Sequence, residues 1–194
     1  MKFEKVSKEE WLKAVNPIVG NKTHSELLFC NAVNEALQTT DNEDDISDFF
    51  YSALTLPKRS TVGSAGYDFR LPFTLKLYPG EMITVATGIK WTSGRFNASA
   101  QEDNYYLSIY PRSSLGRDYS LREPNIVSII DQDYYNNASN EGIIHVNLKN
   151  EGTNGVCVIP AYHAYAQGII QRFFLTDDDH TERIRKGGFG STDI

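Results

Sequence analysis

Two carboxylates, Asp131 and Asp133, close the run Asn125-Ile126-Val127-Ser128-Ile129-Ile130-Asp131-Gln132-Asp133-Tyr134, which opens on an amide and is otherwise largely β-branched and apolar. A carboxylate emerging from a buried strand is held stiffly, which suits a group that must orient one water for attack. A strand running into an Asp-rich turn explains the same residues without chemistry, and the stretch alone does not choose. Upstream, Arg112-Ser113-Ser114 sets a planar cation beside two hydroxyls, the donor set that phosphate oxygens take. A surface turn with a solvated arginine is its plainer reading. Asp68 reads as a strand-end cap, Gln167 as a cross-strand amide, and Tyr134 as either a core tyrosine or a ring offered to a ligand.

The chain of 194 residues is long enough to bury a core, and 40% hydrophobic content is that of an ordinary globular protein. No apolar run approaches the roughly 18 residues that span a bilayer, and no charged-then-apolar leader opens the chain. Cys30 and Cys157 stand far apart without metal or redox spacing, so reduced thiols in a cytoplasmic protein are expected. A net charge of −6 argues against nonspecific binding to nucleic acid or membrane. His24, His145, His163 and His180 form no ligand spacing, and a Gly-x-x-x-x-Gly-Lys-Ser/Thr phosphate loop is absent.

The elements that must position these groups change texture near residue 55. Residues 1–55 read as helical. Ser7-Lys8-Glu9-Glu10 is a capping-box pattern ahead of the apolar Trp11, Leu12 and Val15. A second helical pattern includes Leu27, Leu28, Phe29 and Leu37, and a third covers residues 46–54. The acidic residues 41–45 between them read as a solvated connector, since they lack the spacing of a calcium loop. Beyond residue 56, glycine and proline punctuate short strand-like segments at 74–78, 82–91, 105–110, 126–130, 143–148, 156–159 and 166–175. That pattern predicts a sandwich, jelly roll or barrel. The glycine-rich tail reads, on composition, as a frayed end.

Five short stretches stand in one order: Ser64-Ala65-Gly66-Tyr67-Asp68-Phe69, then Tyr110-Pro111-Arg112-Ser113-Ser114-Leu115-Gly116, then the run ending at Tyr134. Tyr165-Ala166-Gln167-Gly168-Ile169-Ile170 and Gly187-Gly188-Phe189-Gly190-Ser191-Thr192 follow. Any one of them is weak, but together they resemble the trimeric dUTP pyrophosphatases (dUTPases) over residues 56–192. The resemblance implies a mainly β, distorted jelly-roll or β-barrel domain at 56–180. A helical extension at 1–55 precedes it, and a C-terminal arm at 181–194 closes over a site of a neighbouring subunit in a homotrimer. It implies Mg2+-dependent hydrolysis of dUTP to dUMP and pyrophosphate.

By the same resemblance, Asp131 holds the attacking water and Asp133 serves the turn. Arg112, Ser113 and Gln167 bind the triphosphate, while Ser114 and Gly116 let the backbone turn close to it. Asn125, Ile129, Ile130 and Tyr134 belong to a hairpin slot for uracil, with Tyr134 against the deoxyribose. Asp68 is placed near magnesium through water. In the arm, Phe189 stacks on uracil, Gly190, Ser191 and Thr192 meet phosphates, and Arg185 (or Arg183) acts as an arginine finger.

The resemblance is incomplete. Ala161-Tyr162-His163-Ala164 replaces the usual Gly-Asp turn before the fourth stretch, Ser128 stands where many relatives have glycine, and a polar loop follows Tyr134 at residues 135–140. Two rivals keep the same pocket: a dCTP deaminase or bifunctional relative, and a nucleotide-sensing regulatory protein. The latter would meet a protein partner through the N-terminal helices or the 135–140 loop.

Overall fold

The computed structural model describes residues 1–38, 46–94, 104–153 and 155–181. The acidic connector and the whole arm from residue 182, with Arg183, Arg185, Phe189, Gly190, Ser191 and Thr192, lie outside the described residues.

The chain is mainly β. Its lead-in opens with a strand that the helical reading of residues 1–55 does not anticipate. β1 (Lys2–Lys5) pairs antiparallel with β5 (Ile89–Thr92), setting Phe3 opposite Trp91. One apolar residue among lysines and a glutamate is too weak a pattern to announce a strand. Three helices follow as expected: α1 (Lys8–Val15), α2 (His24–Gln38) and α3 (Ile46–Ala53). Their apolar residues Trp11, Phe29, Val33 and Phe50 share one buried cluster with Phe73, Leu75 and Ile83 of the β portion. Gly88, at φ +71 between β4 (Met82–Ala86) and β5, is the close-packed corner of that union. A Cβ there would lie 2.4 Å from Leu54 and 3.1 Å from Trp11, so no side chain fits.

Among the described residues the strands do not close into a barrel but form four sheets, of which the largest has the order β2-β11-β6-β8. Its members are β2 (Tyr67–Arg70), β11 (Ala164–Arg172), β6 (Tyr105–Pro111) and β8 (Ser128–Ile130). A second sheet joins β4, β9 (His145–Asn150) and β7 (Leu121–Arg122), and a third pairs β3 (Leu75–Leu77) with β10 (Cys157–Ile159). Short strands twist strongly, and here they part into small sheets packed on a shared core.

Two expectations need correction. The segment Arg112-Ser113-Ser114 is not a turn: Arg112 caps a short helix, α4 (Ser113–Tyr119), with Gly116 inside it. The strand expected over 126–130 begins only at Ser128. Pro124 sits second in a turn closed by the Ile126 N–H on the Glu123 carbonyl at 2.9 Å, and Ile126 itself has φ +70. A β-branched residue in the left-handed region costs on the order of 1–3 kcal/mol, so the surrounding turn overrides strand propensity here.

Candidate active site

β11 is the middle of the arrangement. Its Gln167 is paired with Asp68 of β2 on one side and with Tyr110 of β6 on the other. The first, second and fourth of the five sequence stretches, those named for phosphate and metal, therefore meet on three adjacent strands. Gly66 completes the contact: a Cβ at that position would stand 2.4 Å from the Gln167 Oε1, so the amide lies directly over the glycine. Arg112 follows the end of β6 and is fixed by its own main chain, whose N–H donates to the Tyr165 carbonyl at 3.1 Å.

Asp68 ties these parts together. Its side chain is 2% exposed. Oδ1 accepts from Arg112 Nη1 at 2.8 Å, and Oδ2 accepts from the Ser60 hydroxyl at 2.6 Å and Arg70 Nη2 at 3.0 Å. A buried carboxylate needs such partners, and two half-exposed guanidinium groups satisfy it. The geometry makes Asp68 an orienting residue for Arg112, with Ser113 and Ser114 exposed at the start of α4 beside it. Ser60 and Arg70 were not legible as site residues. Their partner lies within ten residues, but nothing in their spacing says that the carboxylate is buried.

This saturation decides the metal question. A carboxylate already holding a serine and two arginines does not fit as a direct magnesium ligand, and no group of three or more His, Cys, Asp or Glu among the described residues could hold a metal ion.

Asp131 sits elsewhere. β8 runs antiparallel to β6, with Ile130 opposite Leu107. Asp131 lies one residue beyond that pair and Arg112 five residues beyond it in the opposite direction, about 20 Å of strand apart. Asp131 is exposed at the N-terminus of a single 3-10 turn (Gln132–Tyr134), and its carboxylate does not cap that turn. Asp133 falls in the turn, as expected. Tyr134 is 3% exposed: its hydroxyl donates to the Ile143 carbonyl at 3.2 Å and accepts from the Asn140 amide at 2.8 Å. Its ring is a core side chain in this chain.

At the other end of β8, Asn125 is exposed in the turn with Ile126, which is 85% exposed. The Val127 N–H donates to the Asn125 carbonyl at 2.7 Å, so Ile126 is the centre of a three-residue turn. Ile129 is 44% exposed, whereas Ile130 is buried. β8 is the outer strand of its sheet, and an outer strand offers main-chain N–H and C=O groups along one edge. That is the donor–acceptor pattern a pyrimidine edge can pair with.

Two clefts, of about 640 and 470 Å3, flank α2, and neither is lined by Asp68, Arg112, Gln167, Asn125 or Asp131. Arg112 with Asp68 and Gln167, and the Asp131 turn, thus lie on separate parts of one chain.

The family model described as dUTPase matches residues 52–192. A deoxyuridine 5'-triphosphate nucleotidohydrolase of Lactococcus lactis is 36% identical over 143 residues, covering 73% of this chain and 89% of that protein. One of Burkholderia mallei is 34% identical over 146 residues, covering 71% and 88%. Among solved structures, a dUTPase from Streptococcus mutans superposes with a TM-score of 0.53 at 35% identity, over 63% of this chain and 88% of that one. A dUTPase from phage phi11 of S. aureus shares the fold at a TM-score of 0.50 and 18% identity, over 69% and 92%.

Proposed function

Because this chain belongs to the dUTPase family, we propose that it hydrolyses dUTP to dUMP and pyrophosphate at sites shared between copies of the chain. The observation that carries the reading is the meeting of Asp68, Gln167 and Arg112 on adjacent strands, inside the segment that the family model spans.

Arg112, tethered through one nitrogen to Asp68, keeps its remaining donors for phosphate oxygens. Ser113 and Gln167 supply further hydrogen bonds to the triphosphate. Asn125 and the outer edge of β8 read the pyrimidine. Asp131 orients a water in line with the α-phosphorus and takes its proton as the new P–O bond forms. The bond from that phosphorus to the bridging oxygen breaks, and pyrophosphate leaves. Magnesium belongs to the nucleotide as Mg·dUTP, with Asp68 reaching it only through water.

The separation of Asp131 from Arg112 supports a trimer in which a neighbouring copy brings its Asp131 turn to each phosphate site. The tail residues Arg185, Phe189, Gly190, Ser191 and Thr192 are proposed to close that site as an arm. Among the described residues no helix is long and apolar enough to cross a membrane.

The test is pyrophosphate release from dUTP, dCTP, dTTP and UTP, with and without magnesium, for the native chain and Asp131→Asn. Selective dUTP turnover that falls by about a thousandfold in the variant, with retained binding of a nonhydrolysable dUTP analogue, is expected. Near-normal turnover in Asp131→Asn would refute the role of that residue.

A further inference from the structure

Glu123 carries a carboxyl that neither the phosphate site nor the attacking-water turn uses. It is 4% exposed, and neither oxygen has a hydrogen bond of good geometry. Around it stand the Ser128 hydroxyl, the main chain of Asn125, and both the amide and main chain of Asn147. Asn125, within the turn, and Ser128, the first residue of β8, lie on either side of Ile126, which is strained at φ +70. The turn itself is closed on the Glu123 carbonyl. Behind it, the Asn147 Oδ1 accepts from the Thr84 hydroxyl at 2.8 Å, which in turn lies 2.8 Å from the Ser25 hydroxyl of α2. That chain fixes Asn147 and leaves its amide N–H group to face Glu123.

A buried carboxyl with no completed hydrogen bond is costly wherever it sits. Here it faces donors on either side of the strained Ile126, Asn125 before it and Ser128 after it, and the turn presents Asn125. We propose that Glu123 is a specificity-determining positioning residue, whose carboxyl holds Asn125 and the exposed Ile126 in the arrangement that recognises the pyrimidine edge of the nucleotide. The inference rests on the dUTP reading of the site. Glu123 touches no reacting atom; it acts through Asn125 and Ser128. When the nucleotide pairs with the Asn125 turn, the turn's donors settle onto Glu123, and a pyrimidine with a different edge does not draw them into place.

The experiment compares Glu123→Leu, Glu123→Gln and Asn147→Leu with the native chain. KM and kcat are read for dUTP and dCTP by pyrophosphate release, with folding checked by thermal melting. In Glu123→Leu, KM for dUTP rises about tenfold, kcat stays within about threefold, and preference for dUTP over dCTP falls by a similar factor. Glu123→Gln, which keeps the shape and an acceptor, restores KM to within about threefold of native. Asn147→Leu moves KM and preference the same way and decides the matter if Glu123→Leu does not fold.

Unchanged KM and preference in a folded variant overturns the proposal, as does a loss confined to kcat. Ammonia released from dCTP by the native chain and lost in Glu123→Gln also overturns it, since Glu123 would then be an acid–base group. A native chain inactive on dUTP removes instead the reading of the site on which the proposal rests.

Discussion

The main-chain N–H and the hydroxyl of Ser7 both donate to the carboxylate of Glu141, the former at 3.0 Å, across 134 residues of sequence. Ser7 caps α1 by accepting from the Glu10 N–H at 3.1 Å, so half of the expected capping box is present. The reciprocal bond comes not from Glu10 but from Glu141, at the end of the polar loop that follows Tyr134. Lys90 adds bonds to Glu141 at 3.2 Å and Asn136 at 2.7 Å, and the Tyr135 hydroxyl binds Glu4. The lead-in and the 135–140 loop, the two parts without a role in the sequence reading, therefore hold each other.

Ser7→Ala should cost about 1 kcal/mol through the lost cap, a fall in Tm of about 3 °C. Glu141 adds a pH dependence. The Ser7 hydroxyl, then the Ser7 N–H and Lys90, hold its carboxyl below the usual carboxylate range despite partial burial. Its stabilisation is complete above the pKa of the unfolded carboxyl and fades as acid titrates the folded one. The Tm difference between native and Glu141→Gln should therefore be largest near neutrality and shrink below about pH 4. A constant gap across that range would show that the ionised pair contributes nothing.

Asp68 offers a sharper case, because both its oxygens are occupied, by Ser60 of a bend, Arg70 of its own strand and Arg112 at the start of α4. Asp68→Asn turns an amide N–H group toward at least one of the Ser60, Arg70 or Arg112 donors. Breaking such a buried pair costs on the order of 3 kcal/mol. Arg112, released from its tether, should bind triphosphate less well, so KM for dUTP rises at least about tenfold. Steady-state kinetics beside a melting curve measure both effects. An intact KM with a lowered Tm would make Asp68 structural alone.

Gly66→Ala separates positioning from stability. The added methyl meets the tip of the Gln167 side chain at 2.4 Å and its Cβ at 3.2 Å, with no backbone in the way. Gln167 can swing aside, so the fold should lose less than about 1 kcal/mol. Its amide would then leave the phosphate site, and kcat/KM for dUTP should fall about tenfold. Gln167→Ala should show the same deficit, and combining the two changes should add little, since both remove one contact.

The legible parts of the molecule were those whose chemistry is contiguous. Arg112-Ser113-Ser114 and the Gly66-to-Asp68 stretch declare their donors locally, and strand periodicity located most of the β portion. What could not be read depends on distance or on context. The bond from Arg112 to Asp68 joins residues 44 apart. Ile126 has the strand propensity of its neighbours, yet Pro124 starts a turn that forces it to φ +70. Glu123 was overlooked although a signal existed: it shares strand parity with buried Leu121, while Arg122 between them is exposed. The resemblance sets Tyr134 against the deoxyribose, whereas its 3% exposure and its bonds to Ile143 and Asn140 make it a core side chain of the single chain.

The opposed placement of Asp131 and Arg112 at the ends of β8 and β6 yields a test that does not involve the arm. If each site draws Arg112 from one copy and Asp131 from another, Arg112→Ala and Asp131→Asn should each be inactive alone. Mixing them in equal amounts, after unfolding and refolding together to exchange subunits, creates sites with both native residues. Random assembly gives such a site about one time in four, so roughly a quarter of native turnover should return. If both residues served the same site from a single chain, every chain in the mixture would carry one defect and no activity would reappear. Size-exclusion chromatography of the mixture checks that refolding returned assemblies of native size. Recovery near a quarter identifies the shared site, and its absence in such assemblies places Asp131 and Arg112 of one chain in the same site.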